Sequence, residues 1–169
     1  MFNMSNCVAI LLLLGQVACS GEIQRSSALD EDVDIAVLEA TIEWEFARDT
    51  TLPTPLPVDV RLLDVDSLGQ LFPPATERHR AAPPSATVRQ LGEMVQNIRL
   101  VEMADWSKEG LVVSFGRPLY RSDTEAVVQA AFAHPTAPQY MAVYFEYILA
   151  MSPNGAWRVV DHNVVGHDG

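Results

Sequence analysis

The side chains best equipped for chemistry gather near the end of the chain. In Asp161-His162-Asn163-Val164-Val165-Gly166-His167-Asp168, two imidazoles and two carboxylates stand close together. Both groups are common zinc ligands, so a metal centre is the first chemistry to weigh. The segment reads as strand, and on an unbroken strand the odd spacing of His162 and His167 sends them to opposite faces. The other histidines, His79 and His134, are distant in sequence, and neither a His-Glu-x-x-His nor a calcium-loop pattern occurs. No metal site is expected. Glu43 and Glu45, on either side of Trp44, offer paired carboxylates for acid–base work. Lacking a context that buries them, they are expected to remain ionised on a solvated edge. No Gly-x-Ser-x-Gly elbow, phosphate loop or dinucleotide glycine pattern is present. The expected catalytic and cofactor-binding sets are therefore empty, and the chain reads as more a non-enzyme than an enzyme. Trp44, Trp106 and Trp157 are expected in the core.

One further reactive group is Cys19. The only two cysteines are Cys7 and Cys19, and Val8 to Leu14 between them is unbroken hydrocarbon. That run falls short of the roughly 20 residues that cross a bilayer, but it has the length of a signal-peptide core. Gly15, Ala18, Ser20 and Gly21 supply small residues for cleavage, although no Lys or Arg precedes the run. Gln16-Val17-Ala18-Cys19 resembles the lipobox of bacterial lipoproteins, with Ala18 and Cys19 matching and Gln16 in place of the usual Leu. The resemblance implies lipidation at Cys19; cleavage after Ser20 or Gly21 by ordinary signal peptidase is the alternative. An exported domain with one cysteine has no disulfide to make, which favours the anchor. The reading is residues 1–18 as signal peptide, 19–29 as tether and 30–169 as a single α+β domain. The expected location is the cell envelope, membrane-anchored, with a periplasmic or secreted protein as the alternative.

What must position these residues is one domain of ordinary size. The formal charge is −11, from 11 basic and 22 acidic residues. Such acidity argues against nucleic acid as a partner and leaves a protein partner open. Acids cluster at the start of Asp30 to Ala47, where a helix N-terminus favours them, with Ser27 or Asp30 as cap. Val33, Ala36, Val37, Ala40, Trp44 and Ala47 follow one helical face, with Leu38 and Ile42 beside it. The alternation of Ile42, Trp44 and Phe46 with glutamates competes for strand at its end. Thr50 to Pro57 is an extended proline connector, and Val58 to Val65 alternates as one strand. Ser67 to Ala86 is a proline-dotted loop, with a helical turn at Ser67 to Phe72. Thr87 and Gln90 form a capping box for a helix presenting Val88, Leu91, Val95 and Ile98.

The C-terminal half is four successive strand-like runs: Glu109 to Tyr120, Thr124 to His134, Pro138 to Met151 and Gly155 to Gly166. Arg121-Ser122-Asp123 joins the first two, and Pro153-Asn154-Gly155 joins the last two; Asn-Gly is a strong hairpin signal. In the third run, Val143, Phe145, Tyr147 and Leu149 share a face that should meet the helices, with Met141 beyond them. The expected fold is α+β: a four-stranded antiparallel sheet, or five-stranded, with one or two helices packed on one face.

Ser114, Pro118, Tyr120, Asp123, Ala126, Val127, Gly155, Trp157 and Val159 carry a pattern that resembles uncharacterised exported bacterial lipoproteins. The curved sheet also resembles NTF2-like and cystatin-like domains, which implies ligand pockets or protein contacts. Two functions follow as expectations. One is a non-catalytic interaction or structural module, using the sheet's open face or the loop from His134 to Gln139. The other is an NTF2-like binding or enzymatic domain with a pocket between helix and sheet, for which Glu146 is the candidate polar lining. A filled core favours the first and a polar-edged cavity the second.

Overall fold

The computed structural model describes residues 31–63, 85–137, 139 and 141–168. The signal, lipidation and tether expectations, including Cys19, the caps at Ser27 and Asp30, the helical turn at Ser67 to Phe72 and His79 lie outside those residues. The described chain is α+β, with seven strands in one sheet where four or five were expected. Helix α1, Glu31–Arg48, runs through the disputed last turn. Strand β1, Leu56–Leu63, follows the proline connector, and helix α2, Ala86–Met94, returns the chain to the sheet. Ser85, not Thr87, caps α2: its Oγ accepts from the Val88 amide at 3.4 Å, whereas Thr87 is buried. The helix ends before Val95, so Ile98 belongs instead to the unforeseen strand β2, Ile98–Val101. A 3-10 helix, Met103–Lys108, leads to β3, Val112–Gly116.

Strands β4, Leu119–Ser122, and β3 are the two halves of the first strand-like run. Both pair antiparallel with β5, Glu125–His134, and the register slips by one residue across Gly116-Arg117-Pro118. Proline has no amide to donate to a ladder, so the break falls where Pro118 stands. Strand β6, Met141–Met151, pairs with β5, and β7, Trp157–Asp168, closes the series. Their hairpin turns at Ser152 to Ala156, with Gly155 at φ 83°, a conformation glycine adopts without strain. The sheet order is β2-β1-β3-β5-β6-β7, with β4 beside β5. It is mixed, because β1 lies parallel to both β2 and β3.

Two cores result. Ile35, Leu38 and Ile42 of α1 and Val88 and Leu91 of α2 pack on Val58, Leu62, Phe115, Val128, Tyr147, Leu149 and Trp157. The residues that α1 buries are Asp34, Ile35, Val37, Leu38, Thr41, Ile42 and Glu45; of the expected face Val37 is buried, Val33, Ala36, Ala40 and Trp44 are half-buried at its edge, and Ala47 is exposed. Three polar members hide that set from any reading by hydropathy. On the opposite face Trp106 and Met103 of the 3-10 helix cover Leu63, Val112, Ala131, Ala133 and Tyr144. Asp59 and Arg61, which alternation places outward, are therefore buried beneath it. They satisfy each other: Arg61 Nε donates to Asp59 Oδ1 at 2.9 Å and Nη2 to Oδ2 at 2.6 Å. The guanidinium also lies 5.8 Å over the Trp106 ring.

Candidate cavity at the end of the first helix

Strands β5 and β6 bring Phe132, His134, Val143 and Phe145 to the end of α1, where Arg48 lies over Phe145 and all four line one opening. At Arg48 the chain turns through Asp49, whose Oδ1 accepts from the Thr51 amide at 2.9 Å and the Thr51 hydroxyl at 2.6 Å. The segment then bends at Leu52 and again at Thr54 and Pro55 before β1 begins at Leu56, because Pro53 and Pro55 deny it helical geometry. Its Leu52 packs on the main core, and the connector forms one side of an opening beside β5 and β6. Arg99 of β2 and the segment Glu109 to Leu111 form the far side of a half-open cavity of about 550 Å³. That volume is typical of small-molecule sites.

The walls are mainly apolar: Leu52, Leu111, Phe132, Val143 and Phe145. Phe132 and Phe145 meet edge to face with centroids 5.2 Å apart. At the helix end stand Glu45 and Arg48. Glu45 is only 2% exposed. Its Oε1 accepts from the Tyr147 hydroxyl at 2.6 Å and its Oε2 from Arg48 Nη2 at 2.7 Å. Arg48 lies over Trp44 at 5.2 Å and over Phe145 at 5.9 Å. The hydrogen bond to Glu45 raises the Arg48 pKa against the opposing effect of burial, so it remains a cation. Burial and then the bond to Glu45 push the Tyr147 phenol well above its ordinary value, so it remains a neutral donor.

The rim is polar and paired. Arg99 donates to Glu109 through both terminal nitrogens, at 3.0 and 2.7 Å. This fork holds the Glu109 carboxyl below its usual range. The Thr51 hydroxyl and amide do the same for Asp49. His134 Nδ1 lies 3.0 Å from the Gly110 carbonyl oxygen, tying the end of β5 to the loop before β3.

The residues singled out for chemistry fare differently. Glu43 is exposed while Glu45 is buried, so the two carboxylates are not a working pair, and Glu45 is not on a solvated edge. His162 pairs across the sheet with Tyr147 and His167 with Val143, so both point to the helix side. The bulge at Val165 restores the common face that the odd spacing denies. His162 nevertheless packs on Trp44 at 4.5 Å, and among the described residues no three His, Cys, Asp or Glu side chains converge on a metal site. Glu146 faces the other side, where Gln129 Nε2 donates to it at 3.2 Å. Trp106 and Trp157 are buried, as expected, and Trp44 is half-buried beside the cavity.

Sequence reading missed the Glu45–Tyr147 contact, which spans 102 positions. One signal for it was available. Tyr147 is the sole hydroxyl on a strand face otherwise made of Val143, Phe145 and Leu149, and a buried phenol needs a partner. No protein-family model, curated protein or solved structure matches this chain.

Proposed function

We propose that the domain binds a small molecule in the cavity between the end of α1, the connector of residues 49–55 and strands β5 and β6. The observation that carries this reading is the cavity itself: an opening of about 550 Å³ with apolar walls and a few fixed polar groups. That is the usual make-up of a ligand site. The cover of α1 and α2 on one face of the sheet, with the opening at the end of α1, supports an NTF2-like reading of the domain. Glu45 has both oxygens engaged, one by Tyr147 and one by Arg48, an arrangement suited to holding Arg48 in place. Binding without chemistry is therefore the preferred form of the reading. We place the domain outside the cytoplasm, anchored by lipid at Cys19, on the strength of the apolar run and the Ala18-Cys19 pair.

The test is a titration of the purified chain with the neutral fluorescent probe N-phenyl-1-naphthylamine. Saturable binding to the wild type, abolished in Val143→Trp because the indole fills the space, is the expected result. Unsaturable binding, or binding that survives the substitution, would overturn the reading. A second reading, a protein-contact module, draws on the last strand. There Val160, Val164 and Val165 are 62%, 61% and 40% exposed along a sheet edge. Exposed strand edges can pair with another chain. Two bulges interrupt β7, and bulged edges resist such pairing, which ranks this reading second.

A further inference from the structure

Building on that cavity reading, we infer that the occupant is a neutral, ring-bearing molecule that presents a carbonyl-type acceptor to Arg48. Arg48 is the lining cation with donors to spare. Arg99 spends both terminal nitrogens on Glu109, whereas Arg48 gives only Nη2 to a described residue. The side chain is 38% exposed, so its Nε and Nη1 are open to an entering acceptor as well as to solvent, and a guanidinium is a forked donor that suits a planar acceptor.

The charge of the occupant follows from what surrounds that fork. Glu45, Asp49 and Glu109 line the cavity against Arg48 and Arg99. Three carboxylates thus face two guanidiniums. The carbonyl end of α1, an 18-residue helix ending at Arg48, adds partial negative charge at the same place. A carboxylate or phosphate head entering here meets an excess of like charge. An ammonium head meets Arg48, the donor it cannot satisfy. A neutral oxygen incurs neither cost. The body is read from the walls: Phe132 and Phe145, edge to face, form an aromatic corner, with Val143 and Leu111 beside it. Aromatic and alicyclic rings fill such a corner better than a flexible chain.

Four probes with one two-ring body and different heads test the inference on the purified chain. They are benzophenone, diphenylmethane, diphenylacetate and benzhydrylammonium. The wild type should bind benzophenone about tenfold tighter than diphenylmethane, the scale of one hydrogen bond to a charged group. It should bind both ionic probes more weakly than the ketone. In Arg48→Met, which keeps an apolar stem of similar length and has no donor, the ketone and the hydrocarbon should bind alike. Arg48→Lys, which keeps a cation beside Glu45 and loses the fork, should fall between and serves if the methionine variant does not fold. Saturable diphenylmethane binding with no ketone preference in the wild type, or with the preference intact in both variants, overturns the inference and leaves the cavity reading standing. Preference for either ion also overturns it. No saturable binding of any probe overturns both.

Discussion

At the scale of residues, the molecule invests most in two buried polar pairs on opposite faces of the sheet. Asp59 is wholly buried, and Arg61 nearly so, in a two-pronged ion pair. Desolvation cancels much of the attraction in such a pair, but removing one partner strands the other charge at a cost of about 3–5 kcal/mol. Arg61→Ala should lower unfolding stability by that amount in urea denaturation. A double change of Asp59→Leu with Arg61→Met should cost far less, because no charge is left unmatched. The Glu45–Tyr147 bond makes a different kind of claim. Tyr147→Phe removes one donor from a buried carboxylate and should cost about 1–3 kcal/mol near neutral pH. Because the folded phenol titrates above the ordinary value of 10.0, the unfolded chain loses its proton first. The stability contributed by the Tyr147 hydroxyl is therefore complete below about pH 10 and is lost as pH rises toward the folded value. The gap in stability between wild type and Tyr147→Phe should narrow above pH 10. A gap that stays constant into strong alkali would show the phenol to be solvated.

At the scale of elements, the fate of Trp157 shows what kind of information the sequence holds. Its place at the start of a strand after an Asn-Gly turn suggests a core residue, and it is 8% exposed, with its ring 6.2 Å from that of Tyr120. Trp157→Ala should cost about 3–5 kcal/mol, read as a shifted urea midpoint with an unchanged slope. An unaltered midpoint would contradict the packing described. The same local signals made α1, α2 and the antiparallel runs legible: turn residues, acids at a helix start and apolar alternation are all neighbours in sequence. Strand β2 escaped because four residues, Ile98 to Val101, are too few to show a period, and a parallel partner leaves no turn to mark it. Burial of Asp59 and Arg61 escaped because alternation reports which residues share a face and not whether that face is covered. The 3-10 helix that covers them has no period of its own to detect. The cavity was foreseen only as a possibility between helix and sheet. It forms where the end of α1 at Arg48 meets β5 and β6, elements far apart in the chain.

At the scale of the whole molecule, net charge and the N-terminal segment bear on where such a binding domain would work. A charge of −11 disfavours direct binding to anionic lipid, so a covalent anchor suits the proposed location better than surface adsorption does. No helix among the described residues is long and apolar enough to cross a bilayer. The apolar run from Val8 to Leu14 is itself shorter than a span. The proposed diacyl modification at Cys19 meets both constraints, because two hydrocarbon chains hold a soluble domain at a membrane where one does not. Between Cys19 and the start of α1 at Glu31 lie eleven residues. Fully extended, they span about 35–40 Å, so a domain so tethered need not touch the acidic headgroups. Cys19→Ala should abolish incorporation of labelled fatty acid and move the protein from the membrane fraction to the soluble one. Its urea midpoint and its binding of N-phenyl-1-naphthylamine should be unchanged, since the described residues that build the core and line the cavity all lie between Val33 and Val159. A variant that stays with membranes and carries no lipid would mean that the apolar run itself holds the chain there. Loss of probe binding along with the anchor would instead tie the N-terminal segment to the cavity.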